Sequence, residues 1–331
     1  MARVVLTGSD SVLGDRVRAL LDADPDVDEV VPVDLGDPDL KAVVDGAQVV
    51  VHLGDTSGPQ LDGTGVSGVN VEGTRDLLDV AGAVGVLSVV LLSSATVYGA
   101  WPTNPIPLTE DAPVRPHPSL PFATHKAEVE RLAHEWAEGH PGTTLAVLRP
   151  TVAVSEEQAS WLTRSLWAGG GVEPREGAPP SQFVHLDDLA AAVDLARRKR
   201  LDGVFNVAPD GWIPADELRA LAGRAALRLP IRMVARVAAW AWNLGLVSTP
   251  PGVAAYTVHP WVVANDRLRS EGWKPANTNE EAYVTAHPPT GWSALSPRRR
   301  QEVALGAAGV GVLGLVGLVV WLVRRATRGR G

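Results

Sequence analysis

Short apolar runs alternate with amphipathic stretches along the first half of the chain. Val4–Leu6 is apolar and ends at Thr7-Gly8, and Val12–Leu21 then repeats its apolar positions every three or four residues. That pattern predicts a strand, a glycine turn and a helix. Val30–Val33 reads as a second strand ending at Asp34, Leu40–Val44 as a short helix, and Gln48–Leu53 as a buried strand. Val69–Ala83 is helical by its spacing, Val86–Leu92 is another apolar strand, and Phe122–Gly139 is a long amphipathic helix followed by a strand at Thr144–Leu148. Strands alternating with helices predict an α/β fold on a parallel, doubly wound sheet.

Beyond residue 150 the rhythm loosens. Gln182–Val193 reads as a strand end, an Asp cap and a helix, and Gly203–Pro209 as a last strand, so 182–209 is expected to return to the core formed by 1–150. The rest of 151–285 is expected to form a smaller, interleaved substrate lobe, with helices at Arg232–Leu244 and Asp266–Gly272. A Pro-containing linker, 286–302, leads to Val303–Val323, which is 21 residues without a charge. As a helix this stretch measures about 31 Å, close to the hydrocarbon thickness of a bilayer. It is expected to be a transmembrane helix, with Trp321 near one boundary and a basic tail at 324–331.

Charge supports that division. From Arg298 onward there are seven arginines and one glutamate, a net +6, against −14 for the preceding 297 residues. An acidic body is a poor match for a phosphate backbone, so nucleic acid is not an expected partner. The N-terminus lacks the apolar region of a secretory signal. The expectation is therefore a single-pass C-terminal membrane anchor with the body in the cytoplasm. Arginines flank the apolar stretch on both sides, so charge alone does not orient it. There is no cysteine, which removes thiolate chemistry, and the histidines show no metal-ligand spacing.

The candidate chemistry begins at Gly8-Ser9-Asp10-Ser11-Val12-Leu13-Gly14, between the first strand and the first helix. Glycines there let backbone approach a pyrophosphate, and the helix N-terminus offers free N–H groups. Asp34 follows Gly14 by 20 residues at the end of the second strand, where a carboxylate binds a ribose 2′-hydroxyl and disfavours a 2′-phosphate.

Together with these, several later segments resemble the extended short-chain dehydrogenase/reductase family, the NAD-dependent epimerase/dehydratase group. Thr7, Gly8 and Gly14 are similar to its glycine motif, His52–Gly54 to its HLA segment, and Asn70–Thr74 to its NVxGT. Ser93–Gly99 resembles its SSxxVYG, and Leu148–Pro150, Phe183–Ala190, the FNVAP at Phe205–Pro209 and Gly272–Pro275 follow in order, so the likeness covers roughly residues 3–285. The resemblance implies a Rossmann-type sheet and NAD as cofactor, with NADP disfavoured by Asp34. It also implies a nucleotide sugar or similar hydroxyl or carbonyl substrate, and a homo-oligomer is compatible with it. The cofactor residues it implies are Thr7, Gly8, Ser11, Leu13, Gly14, Asp34, Leu35, Leu53, Gly54, Asn70 and Lys126.

Three departures from the family pattern bear on chemistry. Ser11 replaces the middle glycine and Asp10 brings a carboxylate towards the phosphates; Ser11 is expected to donate a hydrogen bond there. The chain between Val30 and Asp45 is short, so the sheet is expected to lack a strand, and Asp34 serves either the ribose or the adenine side. The family's YxxxK is Phe122-Ala123-Thr124-His125-Lys126 here. The family's Tyr exchanges a proton with the substrate hydroxyl, its Lys binds ribose and stabilises the phenolate, and its Ser polarises the same oxygen. Ser94 and Lys126 keep their places while Phe122 has no proton to give. Tyr98 or His125 could substitute; packing in the turn is the stronger reading for Tyr98, and His125 points about 100° away from the Lys126 face. Two functions stay open: an NAD-dependent oxidoreductase or epimerase, and a membrane-tethered nucleotide-binding module without turnover.

Overall fold

The computed structural model describes residues 2–54, 60–62, 65–67, 71–157, 172–174, 177–222, 227–230, 251–287 and the single positions 233, 236, 240, 244 and 299. Contacts divide the chain into two units, one comprising 1–221 with 225–287 and the other 222–224 with 288–331. Only Ala222 and Arg299 of the second are described.

The first unit is built on six strands: β1 (Ala2–Thr7), β2 (Val27–Val33), β3 (Val49–His52), β4 (Ser88–Leu92), β5 (Thr144–Pro150) and β6 (Gly203–Val207). All neighbours pair in parallel, in the order β6-β5-β4-β3-β1-β2. The helices packed on the sheet are α1 (Val12–Asp22), α2 (Leu40–Val44, only five residues), α3 (Val71–Val84), α4 (Pro121–Glu138) and α5 (Leu186–Lys199).

Strand side chains alternate between two cores, as a period of two requires. Val4, Leu6, Val49, Val51, Val90, Ala146 and Leu148 face α1 and α5, where they meet Val17, Leu21, Leu189 and Val193. Val5, Val50, Val89, Leu91, Leu145 and Val147 face α2, α3 and α4, where they meet Leu40, Val44, Leu77, Leu78, Val129 and Trp136. Both faces are covered, which is why these strands read as continuous apolar runs.

β2 is the exception. It is one of the sheet's two edges, half exposed along its length, and it carries Asp28, Glu29 and Pro32. Charge and proline both discourage pairing with another edge. A doubly wound dinucleotide sheet normally has one more strand outside this one. Here the chain leaves β2, makes the five-residue α2, and returns to β3 on the far side of β1. The shortened Val30–Asp45 segment is the cause.

The strand order reverses between β1 and β3, and the carboxyl ends of these strands open the crevice where doubly wound sheets bind ligands. Residues 183–185 pair in parallel with 152–154, and α5 and β6 follow directly, so 183–207 lies with the sheet. Trp273, in the GWKP segment, is buried in the α1/α5 core, and its indole donates to the Asp188 carbonyl at 3.2 Å. Asp188 in turn accepts from the backbone N–H groups of Ala276 at 2.6 Å and Asn277 at 3.0 Å. Among the described residues no helix is long and apolar enough to cross a membrane. The expected span at 303–323 and most of the expected helix at Arg232–Leu244 lie outside the described residues.

Candidate functional site

At the carboxyl end of β1 the chain turns on Gly8, whose φ of +72° favours glycine. A Cβ on Gly8 would come within 2.9 Å of the Gly54 carbonyl and 3.2 Å of the Leu53 Cβ. On Gly14 a Cβ would meet the Gly8 carbonyl at 2.2 Å. The loop therefore folds flat against the helix start only because both positions lack a side chain. This cradle fits a pyrophosphate lying over the N-terminus of α1.

Ser11 behaves differently from the sequence expectation. It is the N-cap of α1: its Oγ accepts from the Gly14 N–H at 2.9 Å and donates to the Gly8 carbonyl at 2.8 Å. The hydroxyl proton is thus engaged within the loop, and Ser11 stiffens the cradle rather than offering a side-chain donor to phosphate. Its extended φ of −90° does not call for glycine, which is why serine is accommodated. Asp10 is exposed, with Ser9 Oγ donating to it at 3.2 Å.

Beneath the cradle, Thr7 is buried and shares a hydrogen bond of 2.7 Å with His52 Nδ1, while His52 Nε2 meets Thr74 Oγ1 at 3.0 Å. Burial, reinforced by the charge of Lys126, pushes the His52 imidazole down to a pKa of about 3. It is therefore a neutral clamp joining β1, β3 and α3, a role the HLG motif alone did not disclose. Leu13 and Leu53 are core residues of the α1/α5 face, and Leu35 packs against the opposite core. Asp34 is exposed at the carboxyl end of β2. Asn70 lies outside the described residues.

Gly54, with φ of +94°, brings its backbone beside Lys126: a Cβ there would lie 3.3 Å from the lysine Nζ. Lys126 is buried on α4 and donates to the Leu92 carbonyl at 2.8 Å, at the carboxyl end of β4. Desolvation lowers its pKa to about 8, with the Glu130 carboxylate acting in the opposite direction. Ser94 caps the short 3-10 turn Ala95–Tyr98, and its Oγ accepts from Thr96 N–H at 3.2 Å and from Thr96 Oγ1 at 2.9 Å. Two acceptor positions are used, so the hydroxyl proton of Ser94 is oriented away from Thr96. Phe122 stands one turn before Lys126 on α4 and is partly exposed.

Tyr98, the other candidate phenol, is engaged within the fold. It is buried, donates to Asn206 Oδ1 at 2.8 Å and accepts from Arg149 at 2.8 Å. Burial raises its pKa, against the opposing pull of Arg149. Arg149 lies over the ring at 4.7 Å and forks onto Glu130, with Nε at 3.0 and 3.1 Å and one terminal nitrogen at 2.5 Å. Ser93 Oγ also donates to Glu130. Both partners of this ion pair are almost fully buried, and with Asn206 they tie α4, β5 and β6 together around Tyr98. Sequence reasoning missed Glu130 and Asn206. The signal available was Glu130 at one turn beyond Lys126. His125 Nδ1 is buried without a hydrogen-bond partner. Among the described residues no cluster of His, Asp or Glu could hold a metal ion.

Residues 5–208 match the NAD dependent epimerase/dehydratase family. Over 208 residues the chain is 28% identical to an uncharacterised protein of Mycobacterium tuberculosis, covering 61% of this chain and 55% of that relative. The chain thus spans about half the length of this curated relative. It is 30% identical over 198 residues to a dTDP-glucose 4,6-dehydratase of Streptomyces griseus, covering 57% of this chain and 59% of that enzyme. In three dimensions it is similar to a UDP-glucose 4-epimerase of Thermus thermophilus in complex with NAD, with TM-score 0.64, 19% identity and coverage of 86% and 97% of the two chains. A UDP-glucuronic acid 4-epimerase of Bacillus cereus, solved as a tyrosine-to-phenylalanine variant with NAD and a UDP-fluorosugar, gives TM-score 0.64 at 15% identity, with coverage of 86% and 97%. At such identities the likeness to the solved structures is one of fold. The matched family model, the glycine cradle and the strand order agree: the chain belongs to the NAD-dependent epimerase/dehydratase family.

Proposed function

We propose that this protein binds NAD(H) at the β1–α1 cradle and a nucleotide sugar or similar hydroxyl ligand beside Ser94 and Lys126, with proton transfer handicapped by Phe122. NAD, when bound, accepts and returns hydride. A hydroxyl that loses hydride also loses a proton. Of the three side chains at the family's catalytic positions, only Lys126 titrates near neutral pH, and it is lodged under Gly54 and Leu92. Ser94 orients a substrate oxygen, and Lys126 holds the ribose side of the cofactor. Phe122 supplies an apolar surface where relatives of the family have a phenol. The observation that carries the reading is the side-chain-free approach of Gly14 to Gly8, which packs the loop backbone against the start of α1, the arrangement that sets backbone N–H groups towards a pyrophosphate.

A second reading, a nucleotide-binding module without turnover, is favoured by the full engagement of Tyr98 with Asn206 and Arg149. The Bacillus cereus variant is pertinent here, because a tyrosine-to-phenylalanine change left that protein in complex with NAD and a UDP-sugar. Membrane attachment through 303–323 is part of the proposal, supported by the 21 uncharged residues and the arginines on either side. The body is read as cytoplasmic, where NAD is available.

The test is to titrate NAD⁺ and NADP⁺ into the full chain and to compare it with Phe122→Tyr for turnover on nucleotide sugars. General acid–base groups contribute about 10²–10⁴-fold, so the added hydroxyl is expected to raise or create turnover by that order. Turnover in the unsubstituted protein that Phe122→Tyr leaves unchanged would refute the handicap. Absence of NAD binding would refute the whole reading, and bound NAD with no turnover in either protein would select the binding module.

A further inference from the structure

Between Leu218 and Asn265 the chain has no Asp, Glu or Lys, yet it has five arginines: Arg219, Arg224, Arg228, Arg232 and Arg236. With 38 acids in 331 residues, a stretch of this length would hold about five, so the depletion is local and marked. Within it Met233, Arg236 and Trp240 are helical, and the Leu244 N–H donates to the Trp240 carbonyl at 3.1 Å, continuing the turn. Steps of three, four and four place these four side chains on one face. All four are exposed: Met233 at 47%, Trp240 at 61% and Leu244 at 55% rank among the most exposed large apolar side chains described, and Arg236 lies between them.

We infer that this face docks on an anionic lipid surface. A water-facing helix in an acidic protein would be expected to present charges of both signs; this one presents a thioether, an indole, a leucine and a guanidinium. Tryptophan and arginine are the side chains suited to the headgroup boundary, the ring lying among the glycerol groups and the guanidinium reaching phosphate. The arginine-only charge of 218–265 is complementary to anionic lipid; it is complementary also to the acidic remainder of a second copy, and the exposed indole of Trp240, suited to the headgroup boundary, is what selects lipid as the occupant. The chain also continues past the described residues into the uncharged 303–323, so a bilayer is close by if that segment spans it. The inference borrows only this anchor from the proposed function and is independent of the NAD chemistry.

The absence of cysteine makes single-site labelling direct. Full-length Trp240→Cys and Leu244→Cys, each carrying an environment-sensitive fluorophore, are reconstituted into phosphatidylcholine vesicles with and without phosphatidylglycerol. Leu20→Cys, on the exposed side of α1, is the control. In phosphatidylglycerol vesicles, lipid-attached nitroxides should quench the labels at 240 and 244 and iodide should not, while position 20 shows the reverse. Arg236→Glu should weaken docking about fivefold or more, as loss and reversal of one basic contact implies. A label at 240 that iodide reaches and lipid nitroxides do not would overturn the inference. So would a label shielded from both, which means that protein covers the face, whether the chain's own 288–331 or another copy. Vesicle flotation separates the two claims. Protein that stays bound in high salt with position 240 unquenched keeps the anchor and loses the docking face. Protein released by high salt but quenched at 240 in low salt keeps the face and loses the anchor.

Discussion

Truncating Glu130 to alanine removes the acceptor for three contacts from the Arg149 guanidinium and one from the Ser93 hydroxyl. Both side chains are within 4% of full burial, so bulk water does not solvate the guanidinium in place of the carboxylate. Among the described residues Arg149 would keep only its bond to Tyr98 at 2.8 Å, and a buried guanidinium with a single neutral acceptor is an uncompensated charge. Removing one partner from such a pair costs about 3–5 kcal/mol. At roughly 2–4 °C per kcal/mol for a body of this size, the melting temperature should fall by about 10 °C. Glu130→Gln keeps one acceptor oxygen and should cost about half as much. The double variant Glu130→Leu with Arg149→Met removes both charges and should be less destabilised than Glu130→Ala, with a coupling energy of at least about 2 kcal/mol. The assay is urea unfolding of the full chain in nonionic detergent, comparing midpoints at constant slope. A cost below about 1 kcal/mol for Glu130→Ala, or additive single effects, would show that the pair is not the buried brace described. The change also reaches the site. Glu130 raises the Lys126 pKa, so its removal should carry Lys126 below about 8, readable as an earlier loss of the Lys126 proton on titration.

Gly14→Ala forces a Cβ towards the Gly8 carbonyl, which stands 2.2 Å away, so NAD binding should fall at least tenfold by calorimetry while α1 stays helical by circular dichroism. Undiminished binding would place the cofactor elsewhere. Asp34→Ala should erase the preference for NAD over NADP; equal affinities in the unsubstituted protein would remove Asp34 from the ribose. His52 has a folded pKa of about 3 against an unfolded value of 6.5, so the unfolded state binds the extra proton between these limits. Stability from this group is complete above pH 6.5 and is lost as pH falls towards 3, at roughly 1.4 kcal/mol per unit. His52→Gln should flatten that part of the stability profile, and an unchanged acid slope would contradict the neutral clamp.

Local pattern was sufficient wherever one residue's surroundings are its own neighbours in sequence. The sheet strands, the helices over Leu40–Val44 and Phe122–Gly139, and the glycine cradle were all legible, because apolar period and glycine position are short-range properties. The shortness of Val30–Asp45 was visible too, and with it the missing outer strand. Legibility ended where side chains from distant segments meet. That Ser11 spends its proton on Gly8, that Tyr98 is held by Asn206 from 108 residues away, and that Glu130 neutralises Arg149 all depend on which faces the fold brings together.

The sequence by itself therefore determined the alternation of strand and helix, the presence of a nucleotide cradle, and the loss of the phenol at Phe122. It also determined the arginine-only run that surrounds Trp240. Tertiary structure alone decided that His52 is neutral and that the Tyr98 hydroxyl is held between Asn206 and Arg149. The reason is physical: hydrophobic periodicity is written in spacing, whereas the desolvation and hydrogen bonding that set a proton's position are written in contacts between residues far apart in the chain.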